Sequence, residues 1–382
     1  MSAPRPGPLA GVRVVELGGI GPTPFCGMVL ADLGAEVVRV HRPEEVGTPP
    51  NPVLDRGRRS LAADLKSTEG AALVRTLIDR SDAVIEGFRP GVAERLGLDP
   101  AELRRTNPRL VVGRMTGFGQ DGPLAQRAGH DINYIALSGV LGSIGRPDQP
   151  PVPPLNLVGD FGGGGMLLAV GVLAAILNAR ATGIGQDVDA AMVDGSALLM
   201  AMIHGFAAHG RWQPARGTNL LDSGAPFYDT YECADGRFLA VGAIEPKFFA
   251  ALVDVLGLTG RIDLACQRDV TTWPHQRKLI GEAIATLPRD KWARRFAAVD
   301  ACVTPVLDIT EAPLHEHLVA RSTFVADAVG VTHPAPAPRF VGTPLAPPAA
   351  ATKAGAHTDE MLTELGVAAD QIAALRAEGT VA

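Results

Sequence analysis

Two short segments in the middle of this 382-residue chain carry side chains fit for proton transfer. The first, Gly129-His130-Asp131-Ile132-Asn133-Tyr134, follows a glycine-rich loop (Gly117, Gly119, Gly122) and opens an apolar helical stretch through Leu137 and Leu141. A histidine at a helix start titrates near neutral pH and has backbone N–H groups beside it to receive developing negative charge. The second, Asn156-Leu157-Val158-Gly159-Asp160-Phe161, runs into four glycines, Gly162 to Gly165. Asp160 is expected at a strand-to-helix junction, where the glycines let a substrate approach the backbone closely. Both residues also have ordinary structural readings: His130 as a capping or hydrogen-bonded core histidine, Asp160 as a helix N-cap. Glu245 follows the apolar run Leu239 to Ile244 and precedes Pro246, so by spacing alone it reads as the acidic start of a helix.

Other chemistries find little support. The first glycine-rich turn, Gly19-x-Gly21-x-x-Pro24, replaces the third glycine of a dinucleotide fingerprint, and the next strand ends in His41-Arg42 where an acidic ribose ligand is expected. Arg42 there reads either as a fork for the phosphate of a phosphorylated adenine nucleotide or as a solvated charge. The cysteines (Cys26, Cys233, Cys266, Cys302) lie far apart with no Cys-x-x-Cys spacing, which speaks against disulfide frameworks and zinc ribbons and fits a reducing, cytoplasmic setting. His315 and His317 lack a ligand set for a metal, and none of the lysines sits in a Schiff-base context. A net charge of −6 without a basic block argues against a nucleic-acid partner, so an anionic ligand must be met by local cations. Residues 1 to 7 contain no apolar secretory core.

These residues need a frame. A chain of this length, 46% hydrophobic, can bury a sizeable core and is expected to hold two domains. Val12 to Leu17, a helix from about Pro24 to Leu33, and Val37 to Val40 form a strand–helix–strand unit. The pattern recurs with a helix face of Leu73, Val74, Leu77 and Ile78, a strand at Ala83 to Glu86, a capped helix at Asp99-Pro100 and a strand from Leu110 to Arg114. Alternation of this kind implies an α/β fold: a parallel sheet covered by helices, with ligands outside the carboxyl ends of the strands. Residues 161–179 are uncharged over a near-membrane-spanning length, but the glycines that open the run favour a buried helix over a membrane span. Beyond about residue 220, Tyr228 to Cys233 and Arg237 to Ile244 flank Asp235-Gly236, a two-residue hairpin signal that opens a second, α+β domain. Helices follow around 246–257, 275–286 and 290–299, then a proline-rich connection from His333 to Pro348 and short helices at Thr358 to Leu365 and Ala369 to Ala377.

Several long motifs, in order from end to end, resemble the family III CoA-transferase group: Pro8 to Leu17, Ala31 to Val40, Ala63 to Ser67, Gly87 to Val92 and Gly355 to Glu360. Transferases of that group typically carry tyrosine where this chain has His130. The segments Gly129 to Tyr134 and Gly159 to Gly164 instead resemble its α-methylacyl-CoA racemase branch. The resemblance implies that His130 and Asp160 are an acid/base pair and that Glu245 orients the histidine. It also implies CoA contacts from Arg42, from Ala63, Asp64, Leu65 and Lys66, from Gly87, Phe88 and Arg89, from Arg95, and from Gly129, Asp131, Ile132, Asn133 and Tyr134. The implied architecture is an interlocked homodimer. Its Rossmann-like large domain spans residues 1–205, a linker 206–224, a small domain 225–330, and residues 331–382 return to the large domain. The implied substrate is a 2-methyl-branched acyl-CoA, with no cofactor beyond its CoA moiety and no membrane partner, and the implied reaction is its racemisation. A transferase using Asp160 as nucleophile is the alternative. Met192, Met200 and Met202 read either as a soft wall for the acyl chain or as core packing.

Overall fold

The computed structural model describes residues 6–327 and 329–382, so all but the last two positions of the N-terminal segment lie outside the described residues. Strands β1 (Arg13–Leu17), β2 (Glu36–His41), β3 (Arg59–Ala62), β4 (Ala83–Glu86), β5 (Val111–Thr116) and β6 (Asp187–Ala191) form one parallel sheet in the order β3-β2-β1-β4-β5-β6. The order reverses between β1 and β4, the place where doubly wound sheets open a ligand crevice. Between the strands run α1 (Pro22–Asp32), α2 (Thr68–Asp79), α3 (Val92–Arg95), α4 (Pro100–Thr106) and α5 (Asp131–Leu137). A π-helix, Leu157–Met166, then continues into α6 (Leu167–Thr182), and α7 (Met192–Leu199) follows β6. Alternation along the strands sends Val14, Val37, Ile85 and Val111 into a core with Leu30 of α1 and Leu168, Val172 and Ile176 of α6. Val15, Val38, Val84 and Val112 face the opposite side with Val74, Leu77 and Ile78 of α2 and Leu103 of α4.

The run Leu157–Thr182 is long and apolar enough, by length and composition, to cross a membrane. Its Leu168, Val172, Ile176 and Ala179 belong to the core of the sheet. Met166, Val170 and Leu177, which share another face by helical period, are exposed, so the helix is half-covered where a buried one was expected.

The chain divides into two compact units: residues 1–138, 155–199 and 317–382 in the first, 139–154 and 200–316 in the second. In the second unit α8 (Ala201–Ala208) precedes an antiparallel sheet of β7 (Tyr228–Glu232), β8 (Phe238–Gly242) and β9 (Val303–Pro305), with α9 (Pro246–Val255), α10 (Trp273–Ile284) and α11 (Arg289–Phe296). Phe227, Leu239, Phe249, Leu252, Ile280 and Trp292 form its core. The β7–β8 turn is not the two-residue hairpin that Asp235-Gly236 suggests. Cys233 N–H meets the Arg237 carbonyl at 2.8 Å, Gly236 N–H meets the Cys233 carbonyl at 3.0 Å, and Gly236 takes φ +73°, a three-residue loop with a left-handed third residue. Residues 139–154 travel with this unit, whereas the sequence reading keeps them in the first domain. Arg146 reaches Asp229 at 2.7 Å, Arg216 donates to the Gln149 carbonyl, and Gly217 packs on Pro147 where no Cβ fits.

The last segment, with α12 (Glu316–Ala320), β10 (Phe324–Ala326) and β11 (Thr332–Pro334), leads to α13 (Thr358–Leu365) and α14 (Ala369–Ala377). It returns to the first unit. Thr358 Oγ1 accepts from Ala62 N–H at 3.1 Å, the Ser60 carbonyl accepts from His357 N–H at 2.9 Å, and Asp64 N–H donates to the Thr380 carbonyl at 2.8 Å. Met361, Leu362 and Ile372 complete the α2 side of the core.

Candidate active site

A cavity of about 900 Å³ opens at the carboxyl ends of the parallel strands. Each strand contributes residues at or just past its end: Gly18 and Gly19 after β1, His41 and Arg42 as β2 ends, Ala63 to Lys66 after β3, Gly87 to Pro90 after β4, Thr116 to Phe118 at the end of β5, and Met192 after β6. The switch point is tightly closed at its base. A Cβ on Gly87 would lie 2.6 Å from Thr23 Oγ1 and 3.0 Å from the Gly19 Cα, and one on Gly18 would strike the Phe88 ring. Beneath it a buried ion network ties Glu16 to Arg58 at 2.6 Å, Arg58 to Asp55 at 3.0 Å and Asp55 to Arg39 at 2.6 Å, which fixes the loop before β3 against β1 and β2.

His130 and Asp160 both line this cavity. His130 is the N-cap of α5, in extended conformation, with its N–H bonded to Asn133 Oδ1 at 3.0 Å. Asp160 lies inside the π-helix and is therefore not the N-cap, nor at the strand-to-helix junction, that the sequence suggests. Its N–H donates to Asp131 Oδ1 at 2.7 Å, and its Oδ2 accepts from Asn156 Nδ2 at 3.1 Å. Gly21 faces that oxygen so closely that a Cβ there would lie 2.8 Å from it. Burial pushes the Asp160 carboxyl above the usual carboxylate range. The Asn156 hydrogen bond opposes the rise, the Asp131 charge adds to it, and His130 opposes it. The same causes, burial first and then the Asp160 charge, raise the Tyr134 phenol, whose ring packs edge-on to Phe118 at 4.9 Å.

The glycines after Asp160 serve packing. A Cβ on Gly163 would come within 2.6 Å of Ser196 N in α7, and one on Gly165 within 2.5 Å of the Pro22 carbonyl in α1. Their role is to let the π-helix lie backbone to backbone against two helices, not to admit substrate as the sequence suggested. Phe161 stacks on Phe25 at 4.5 Å and locks the same contact.

Of the residues expected to hold CoA, Arg42, Ala63, Asp64, Leu65, Lys66, Gly87, Phe88, Arg89, Gly129 and Tyr134 line the cavity. Arg95, Asp131, Ile132 and Asn133 do not: Arg95 is exposed beside Gly91, Ile132 and Asn133 face outward from α5, and the Asp131 side chain is buried. Glu245 stands in the second unit as the N-cap of α9, its carbonyl taking the N–H groups of Phe248 and Phe249 at 3.0 Å. Gln267 and Arg268 hold the preceding Ile244 carbonyl at 3.0 and 3.1 Å. Met192 lines the cavity, while Met200 and Met202 belong to the second unit. Among the described residues no cluster of metal-ligating side chains occurs. Sequence reasoning missed His41, Arg127, Thr352 and Ala354 on the cavity wall, and Asn156 as the partner of Asp160. The last was within reach, since Asn156 and Asp160 are four apart in a helical run.

At the carboxyl end of β4, buried Glu86 accepts Phe88 N–H at 2.6 Å and pairs with Arg114 at 3.1 Å, and Arg114 also holds Glu94 at 2.9 Å. Burial pushes the Glu86 carboxyl up to about 7 against the pull of these partners. This carboxyl anchors the Gly87 to Arg89 loop from below.

The chain as a whole is similar to known proteins. The family model described as CoA-transferase family III matches residues 9–358. Alpha-methylacyl-CoA racemase of Mus musculus is 46% identical over 374 residues, 98% of this chain and 97% of the relative. The Homo sapiens protein of the same name is 45% identical over 371 residues, 97% of this chain and 96% of the relative. A solved CAIB/BAIF family protein from Brucella suis superposes with a TM-score of 0.82 at 27% identity, covering 94% of this chain and all of that one.

Proposed function

The chain belongs to CoA-transferase family III, and from that premise we propose that it interconverts the (2R) and (2S) forms of 2-methylacyl-CoA thioesters. The observation that carries this reading is that His130 and Asp160 line one cavity, with the Asp160 carboxyl raised by burial, in a chain nearly half identical to two racemases. Racemisation removes the proton next to the thioester carbonyl and returns one to the opposite face. Neutral His130 takes the proton from one enantiomer while protonated Asp160 donates to the planar enolate, and the roles reverse for the other. A raised carboxyl pKa is what such an acid needs. The first two N–H groups of α5, those of Asp131 and Ile132, precede the first bond of the helix, from Asn133 N–H to the His130 carbonyl, and can receive the charge that develops on the thioester oxygen. Arg42, Lys66 and Arg89 supply the local cations for the CoA phosphates, and proton transfer of this kind needs no cofactor beyond the substrate's own CoA.

The working form we propose is a homodimer in which Glu245 of the second unit orients His130 across subunits. Supporting it, Met166, Val170, Leu177, Ile184, Leu198 and Leu199 of the first unit are large apolar side chains left exposed. Mass measurement in solution tests the dimer. The activity is tested by incubating the protein with a (2R)-2-methylacyl-CoA in D₂O, where the product is expected to be epimerised and α-deuterated. Transfer of CoA to a free carboxylate without deuterium uptake would assign Asp160 the nucleophile's role instead.

A further inference from the structure

We propose that Asp131 is the positioning residue of this site: its buried carboxylate spans from the His130 peptide to the Asp160 backbone, sets the separation of the two bases and keeps a negative charge beside Asp160. The inference rests on the racemase reading and adds a role for a residue that the cavity itself does not touch.

The geometry is closed on every side. His130 and Asp131 are joined by one peptide, and His130 N–H is fixed by Asn133 Oδ1 at 3.0 Å. Asp131 Oδ1 takes the Asp160 N–H at 2.7 Å, a bond between residues 29 positions apart in sequence. Gly159 lies flush against it: a Cβ there would fall 2.5 Å from Asp131 Oδ1 and 3.2 Å from Ile135, so the π-helix turn that carries Asp160 cannot back away without opening this contact. Asn156 holds the Asp160 carboxyl from the same helix. The Asp131 side chain is only 6% exposed, and its Oδ2 meets no hydrogen-bond partner among the described residues. Any neutral acceptor would satisfy one N–H. A carboxylate brings a surplus charge as well, and that charge acts on Asp160 in the direction an acid requires, against ionisation.

Two variants separate the tie from the charge. Asp131→Asn keeps the acceptor and the volume and removes the charge, and Asp131→Ala removes both. Racemisation is measured in each direction as kcat and KM against pH, alongside the melting temperature. For Asp131→Asn, KM should stay within about twofold while the limb along which kcat falls with rising pH, in the direction where Asp160 donates, moves to lower pH. For Asp131→Ala, kcat should drop by roughly tenfold or more with KM changed less than about threefold. An unmoved limb in folded Asp131→Asn overturns the inference, whatever Asp131→Ala does. A wild-type protein that takes up no deuterium overturns the parent reading instead.

Discussion

The cavity has two unlike walls. On the side of β2 and β3 it is made of loops whose cations stand in solvent, Arg42 at 80% exposure and paired with Glu45 at 3.7 Å. On the side of α5 and the π-helix the backbone of both proposed bases is tied by side chains, His130 N–H to Asn133 and Asp160 N–H to Asp131, and glycines at 21, 159, 163 and 165 leave no space for a methyl group. The contrast follows the tasks. Binding a flexible, highly charged phosphate tail needs charge of the right sign within reach, while flanking one carbon with an acid and a base needs placement to a fraction of an ångström. The first wall should therefore tolerate change with graded loss, and the second should fail abruptly.

The sharpest test is chemical. His130→Ala and Asp160→Asn should each lower epimerisation by ~10²–10⁴-fold with CoA binding retained, read as α-deuteration rate against affinity for a CoA thioester. Full activity in either variant would remove that residue from the mechanism and dissolve the contrast. Next in size is Gly163→Val, which drives side-chain atoms into the Ser196 backbone. It should cost about 1–3 kcal/mol of stability, seen as a lower melting temperature, and lose kcat with it. Arg42→Ala on the opposite wall should raise KM by roughly threefold to tenfold with kcat unchanged, and the effect should shrink as salt is added. A parallel fall in kcat would mean the two walls are coupled.

The smallest effect concerns Glu86 beneath the binding loop. Its carboxyl is raised from 4.5 to about 7 by burial, so the folded chain keeps a proton that the unfolded chain releases. Stability from this group is therefore full below about 4.5 and declines as pH rises through 7. Glu86→Gln should flatten that slope in melting temperature against pH, with kcat unchanged.

The binding wall was the more legible of the two. β1, β2, β4 and β5 are buried on both faces and read as apolar runs, and the loops after them carry motifs long enough to recognise. β3 and β6 were missed because they are the edges: Arg59 and Ser60, like Asp187 and Asp189, break the apolar run that marks an inner strand. On the reacting wall, His130 could be placed at a helix start because it stands between a glycine-rich loop and an apolar helical run, and the structure adds that Asn133 reaches back to its N–H. Asp160 was identified but misplaced. Nothing in composition distinguishes a π-helix from an α-helix, since the difference lies in which carbonyl each N–H finds, and that is decided by α1 and α7 pressing on Gly163 and Gly165. For the same reason the glycines looked like a substrate path.

The late return of the chain has a consequence for how the protein is made. β3 and the Asp64 loop wait for residues 357–381, and Thr352 and Ala354 complete the wall around the incoming thioester. A ribosome delivers those residues only after the whole of residues 200–316 has emerged. Until then the nascent sheet carries an unclosed flank, and a chain cut short before residue 352 has its strands but no finished binding cavity.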